Sequence, residues 1–197
     1  GNQTLATNTT GTQNIAVGGR SLYTNETTNN NVAIGYDALR LNTASNNTAV
    51  GTWALGTNST GTQNTAVGMN ALYANTTGGY NIAVGGGALD ANTTASWNTA
   101  LGYDALGTNT TGYGNVAIGY QALFDQTTGG PNTAVGQSSL ANNTTAWGNT
   151  SVGYYSSHNN TTGANNCALG NEALEANTTG SQNTAIGFRA LEANTTG

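Results

Sequence analysis

Asn115-Val116-Ala117-Ile118-Gly119 reads N-V-A-I-G, and close copies of it begin at Asn14, Asn31, Asn47, Asn64, Asn81, Asn98, Asn132, Asn149, Asn166 and Asn183. Every spacing is 17 residues except the 16 from Asn31 to Asn47. A fixed period of this length marks a repeat architecture, in which each copy is one structural unit stacked on the next. With the leading Asn as seat 0, seat 2 is Ala in every copy but one, Ser151, and seat 3 is always Val, Ile or Leu. Seat 4 is Gly throughout. Seats 7 and 8 read Ala-Leu or Ser-Leu except at Ser156-Ser157, and seats 11 to 14 are usually Asn-Thr-Thr-Gly.

These residues favour β structure over helix. Each copy carries Gly, Thr and Asn, with β-branched residues common at seats 1 and 3, all poor helix formers. Seats 1 and 3 share one face of a short strand and the small Ala at seat 2 points to the other. Gly at seat 4 ends that strand with a turn. The pattern predicts a second short strand around seats 5 to 9 and a wide, outward return turn at Asn-Thr-Thr-Gly. The fold class expected is all-β: a parallel β-solenoid, or β-roll, of 17-residue coils. About twelve coils at a strand spacing of about 4.8 Å would make a rod on the order of 55 Å long. Each coil should bury its Leu, one Val or Ile and two Ala. A small residue held at seat 2 implies close approach of another backbone, across a thin coil or from a neighbouring chain; the neighbouring chain is the reading adopted.

Composition excludes several classes. Only 6% of the 197 residues are charged, Lys is absent, and a net charge of −5 with three Arg (Arg20, Arg40, Arg189) gives no basic surface for nucleic acid. Low charge with 36% hydrophobic residues does not fit plain disorder. The single Cys167 has no internal disulfide partner. No run of about 18 apolar residues could span a membrane, and no signal peptide opens the chain. The chain begins at seat 4 and stops at seat 14, as a piece of a longer fibre would, or one whose ends meet other chains.

The segments Asn31-Val32-Ala33-Ile34-Gly35 and Asn115-Val116-Ala117-Ile118-Gly119 resemble the Ser-Val-Ala-Ile-Gly repeats in the heads of YadA-like trimeric autotransporter adhesins. They are also similar to Asn-Thr-Ala-Val-Gly repeats of phage tail fibres and other surface fibres. The likeness rests on a five-residue core in every copy, and the period here is longer than that of the adhesin heads. It implies a left-handed roll, three chains side by side, and a role in attachment.

No constellation for catalysis stands out, and no cofactor or metal is expected. Asp37 and Asp104 share seat 6 but lie four copies apart. Glu175 and Glu192 share seat 9 in adjacent copies, about 4.8 Å apart, which suits a solvated rim or a weak cation site. His158 stands alone in the copy that lacks Leu and reads as exposed, and Cys167 reads as a buried, inert thiol. Two sets of residues are candidates for function. Asn8, Asn25, Asn58, Asn75, Asn92, Asn109, Asn143, Asn160, Asn177 and Asn194, all at seat 11, are each followed two places on by Ser or Thr, the N-glycosylation acceptor pattern. Against that reading, stacked Asn and Thr ladders give the same residues a purely structural use. Tyr36, Trp53, Tyr103, Tyr120, Tyr154 and Tyr155 at seats 5 and 6 are candidate surface aromatics for sugar rings.

The function read from these features is a structural repeat protein: an extracellular, self-associating filament or fibre shaft, not an enzyme. The alternative is a trimeric adhesin or tail-fibre segment that binds cell-surface carbohydrate. A minor alternative is an ice-binding solenoid, disfavoured because the paired Thr at seats 12 and 13 would face opposite ways.

Overall fold

The computed structural model describes residues 1–197. Each copy contributes one three-residue strand at seats 1 to 3, from β1 (Ile15–Val17), β2 (Val32–Ile34), β3 (Thr48–Val50), β4 (Thr65–Val67), β5 (Ile82–Val84) and β6 (Thr99–Leu101) to β7 (Val116–Ile118), β8 (Thr133–Val135), β9 (Thr150–Val152), β10 (Cys167–Leu169) and β11 (Thr184–Ile186). They form one eleven-stranded parallel sheet in sequence order. Register pairs like seat with like, as in Ala66↔Ala83 and Val67↔Val84. The chain is therefore an all-β solenoid. The 16-residue copy keeps this register, with Val32 opposite Thr48, so its missing residue is absorbed in the return turn.

Gly at seat 4 is dictated by stacking. Gly68 has φ +135°, and a Cβ built on it would lie 2.5 Å from the carbonyl oxygen of Gly85 in the next coil. Only a residue without Cβ lets successive coils approach at this corner.

Seats 5 to 10 do not form the expected second strand. They wind as a turn ribbon in which backbone bonds alternate between the chain's own coil and its neighbour. Ala71 N–H donates to Gly68 O in its own coil at 3.3 Å, while Leu72 N–H donates to Ala88 O in the next at 3.0 Å. The alternation follows from left-handed backbone at seats 6 and 8; every seat-8 Leu has φ between +48° and +56°. A bulky residue there costs roughly 1–2 kcal/mol, and it is held by burial: Leu39, Leu72, Leu106 and their equivalents from Leu22 to Leu140 are fully inaccessible.

The interior is narrow. Ala at seat 2, Ala or Ser at seat 7 and Leu at seat 8 meet inside the coil and make a continuous core from Leu22 to Leu140. Ser139 Oγ at seat 7 donates to the Ser151 carbonyl at seat 2 of the next coil at 3.0 Å, so one small side chain spans the gap. The close approach that keeps seat 2 small is thus across the chain's own coil, and the neighbouring chain is not its cause. The pleat then forces seats 1 and 3 outward. Ile15, Val17, Ile34, Ile82, Leu101 and Ile186 are exposed, against the expectation that an aliphatic seat-3 residue would be buried. Cys167 shares that outward face and is only half-buried.

The core is interrupted once. Ser151, Ser156 and Ser157 take seats 2, 7 and 8 of one coil, and apolar contact resumes only at Ala168, Ala173, Leu174 and Ala185. Ser151 Oγ is buried without a partner. Beside them Tyr155 stacks on His158 at 4.3 Å, and His158 Nδ1 lies 3.1 Å from Ser138 O, which leaves His158 half-buried instead of exposed. Ser157 already has the left-handed backbone of the seat-8 Leu residues, φ +49°. Ser157→Leu should therefore raise the unfolding free energy by about 1–3 kcal/mol, read from urea denaturation; an unchanged or lower midpoint would mean that Tyr155 and His158 have closed the space.

Candidate functional site

Two Asn side chains converge on one carbonyl in most coils. In the coil opened by Asn64, the Gly78 carbonyl at seat 14 accepts from Asn64 Nδ2 at 2.8 Å and from Asn75 Nδ2 at 2.9 Å. The same pairing recurs at Gly61, Gly112, Gly163 and Gly180, and at Ala95 and Ala146 where seat 14 is Ala. Each side-chain amide also links its coil to a neighbouring one. Asn75 Nδ2 donates to Asn58 Oδ1 at 2.7 Å, and Asn64 N–H donates to Asn47 Oδ1 at 3.0 Å. The outcome is two parallel Asn ladders running through the interior, with nearly every donor and acceptor used, as buried amides require.

This geometry corrects the sequon reading. Asn25, Asn58, Asn75, Asn92, Asn109, Asn143, Asn160 and Asn177 are buried to 1% exposure or less. Both Nδ2 hydrogens of each are taken, one by the neighbouring rung and one by the seat-14 carbonyl, as Asn58 does with Asn42 Oδ1 and Gly61 O. A glycan on Nδ2 would replace one of those hydrogens and has no path out of the folded coil. Asn8 is exposed and Asn194 half-buried, since each has a coil on only one side. The Thr at seat 12 has a fold role, as Thr76 Oγ1 donates to Thr93 O at 3.0 Å. The Thr at seat 13, such as Thr77, Thr94 and Thr111, is exposed, and no hydrogen bond of the fold accounts for its hydroxyl.

The ladder has one fault that the sequence marks. Gln126 replaces Asn at seat 11, and its longer side chain carries the amide to Asn115 Oδ1 at 3.5 Å instead of back to Asn109. Asn109 Oδ1 is left buried with no partner. Gln126→Asn should close the rung and stabilise the fold by about 1–2 kcal/mol, measured as a shift in urea midpoint with an unchanged slope.

The candidate aromatics do not form one row. Tyr36 and Trp53 serve a buried carboxylate: Arg20 donates to Tyr36 Oη and to Asp37 Oδ2, the latter at 2.6 Å, and Trp53 Nε1 donates to Asp37 Oδ2 at 3.3 Å. Tyr155 is half-buried on His158, while Tyr154 is exposed 4.4 Å from it. Only Tyr103 and Tyr120 make an exposed near-parallel pair, 5.9 Å apart with 10° between planes. Thr52, Met69, Gly86 and Gln137 break the remainder of seat 5.

Glu172, Glu175 and Glu192 bring carboxylate oxygens within 4.8 Å of one another. Arg189 lies among them, 2.5 Å from Glu172 Oε2 and 3.7 Å from Glu192 Oε1, so its charge already compensates the cluster. A cavity of about 260 Å³ beside the shortened turn is lined by Thr24, Glu26, Thr27, Thr28 and Thr43 only.

No protein-family model, curated protein or solved structure matches the chain. The reading of function therefore rests on the chain's own surfaces.

Those surfaces divide by charge. All three Arg and all eight acidic residues lie at seats 5 to 12, and seats 13 to 16 and 0 to 4 carry none. Asp90 has its carboxyl pushed above the ordinary range, mainly by burial and then by the Asp104 charge, and burial raises Asp104 as well. A folded-state value above the unfolded one means that the native state holds the proton more tightly, so this stability is present at acid pH and is lost as pH rises through the folded value. Asp90→Asn should leave thermal stability near pH 3 almost unchanged and raise it at pH 7, in melting curves recorded at both pH values.

Proposed function

We propose that the chain is a structural rod of a fibre and packs side by side with further copies of itself through its sheet face. The observation that carries this is the outward face of β1 to β11. Seat 3 places Val, Ile or Leu there in every copy, and seat 1 places Thr in six copies, Ile or Val in four and Cys167 in one, in two straight ranks without a charged residue. Eleven strands about 4.8 Å apart make a face about 50 Å long and about 10 Å wide, on the order of 500 Å². A flat, uncharged face of that size with an unbroken aliphatic rank along it is typical of an interaction surface.

A second copy fits this face on physical grounds. Both chains repeat at the same rise, so ranks of side chains on one rod meet ranks of equal spacing on the other at every rung. The charged residues lie on the opposite half of each coil, so a net charge of −5 per chain opposes association only weakly across the contact. The likeness of N-V-A-I-G to fibre and adhesin repeats supports the same reading, including three chains per fibre and a place outside the cell.

Placing charge on the face tests it. Wild-type protein should sediment as an oligomer, and Val67→Glu with Val84→Glu should sediment as a monomer with an unchanged circular dichroism spectrum. A wild-type chain that stays monomeric at high concentration would remove the proposal.

A further inference from the structure

The return edge of the rod departs from the repeat in one stretch. Gln13, Asn30, Asn46 and Gln63 hold seat 16 in the earlier coils, and Asn165 and Gln182 in the later ones. The five consecutive coils between them read Gly79-Tyr80, Ser96-Trp97, Tyr113-Gly114, Gly130-Pro131 and Trp147-Gly148 at seats 15 and 16. Four of these coils carry one aromatic ring beside a Gly or Ser, and the fifth carries Gly130-Pro131. Where the ring moves from seat 16 to seat 15, the small residue moves the opposite way.

The rings are open to solvent: Tyr80 is 52% exposed, Trp97 63%, Tyr113 55% and Trp147 56%. Tyr80 and Trp97 lie nearly parallel, 6.2 Å between centroids with 15° between planes. Their backbone is fixed to the coil before, with Tyr80 N–H donating to Thr62 O at 3.0 Å and Trp97 N–H to Gly79 O at 3.2 Å. The stripe thus runs along one edge of the charge-free half of the coil, its backbone held to the neighbouring rungs. In the same five coils Thr77, Thr94, Thr111, Thr128 and Thr145 at seat 13 expose hydroxyls that the fold does not use.

We propose that this stripe binds a neutral, linear polysaccharide laid along the rod axis. Aromatic faces stack on the C–H faces of pyranose rings, and uncharged hydroxyls satisfy the sugar hydroxyls beside them. Four aromatic rings over five coils, at a rise of about 4.8 Å per coil, are set one or two rungs apart, close to one or two sugar units of an extended chain. The absence of any cation at seats 13 to 16 disfavours phosphates or uronic acids, and hence nucleic acid, even though bases also stack on rings. A protein strand would need unpaired backbone groups to extend, whereas the amides of Tyr80, Trp97, Gly114 and Gly148 are already bonded to the preceding coil. Backbone already held to the neighbouring rungs lowers the ordering cost of binding.

Trp fluorescence reads the stripe directly, because of the three Trp residues only Trp53 lies outside it. In the Trp53→Phe variant, titration with neutral linear oligomers of β-linked glucose, mannose and N-acetylglucosamine should give a saturable change with at least one of them. Trp97→Ala with Trp147→Ala, in the otherwise wild-type chain, should weaken that oligomer at least tenfold by calorimetry. Tyr103→Ala with Tyr120→Ala, at seat 5, should leave binding unchanged. The proposal fails if none of the three oligomers binds at millimolar concentration, if the double Trp variant binds as well as wild type, or if an acidic uronic-acid oligomer binds more tightly. All these side chains are exposed, and matching urea midpoints will show that the variants remain folded. The stripe and the sheet face occupy different seats, so failure here leaves side-by-side packing standing, and the converse holds.

Discussion

Two amide side chains sharing one backbone carbonyl set the geometry of nearly every coil. The seat-14 oxygen takes Asn64 from the start of the coil and Asn75 from its far side, as at Gly78, and so ties the strand to the return turn inside a single repeat. Asn75 Nδ2 also donates one rung back to Asn58 Oδ1, and Asn47 Oδ1 accepts from the backbone N–H of Asn64, so successive coils are fixed in register. A coil with one Leu and two Ala has a small apolar core. Its uniqueness comes from a buried polar network whose members have few other partners available, and such a network is costly if left half-made. The orphaned Asn109 Oδ1 beside Gln126 is the local cost of a single extra methylene.

The narrow interior follows from that network and from Gly at seat 4. Coils that approach through backbone, as Gly68 does against Gly85, leave room inside for Ala at seat 2 and for one Leu. Larger aliphatic residues have to face outward. The exposed ranks at seats 1 and 3 are thus a result of how the coil closes, and they leave the rod with an apolar side that water does not favour. Charge collects on the other half of the coil, so the molecule has a charged half, a flat apolar face and a neutral aromatic edge, each at fixed seats. Departures from the repeat stand out against this regular background. The Ser151, Ser156 and Ser157 coil weakens the core, and the four aromatic rings from Tyr80 to Trp147 have no counterpart elsewhere along that edge.

Much of this architecture was legible in the sequence. The period, the strand at seats 1 to 3 and the Gly corner all follow from spacing and local backbone preference, and all appear in the structure. Two readings of local pattern failed. Ala-Leu at seats 7 and 8 looks like strand, but left-handed backbone at seats 6 and 8 turns it into a ribbon, and no side-chain pattern announces a buried Leu at φ near +50°. Asn-Thr-Thr looks like an exposed acceptor for sugar, yet its Asn lies inside. The aromatics singled out at seats 5 and 6 are divided among an ion pair, a stacked His and one exposed pair, while the longer aromatic stripe lies at seats 15 and 16.

The sequence by itself determined that the chain is a stack of β-coils, because a 17-residue period with Gly at a constant seat leaves few other ways to pair its strands. Only the tertiary structure decided which side of each coil is inside. Alternation along a three-residue strand separates two faces without saying which one meets the core, and the small Ala, not the larger Val or Ile, won because the opposite wall is one short side chain away. The Asn at seats 0 and 11 could be buried for a related reason: their hydrogen-bond partners lie on the neighbouring rung and across the coil, and exist only once the coils have stacked.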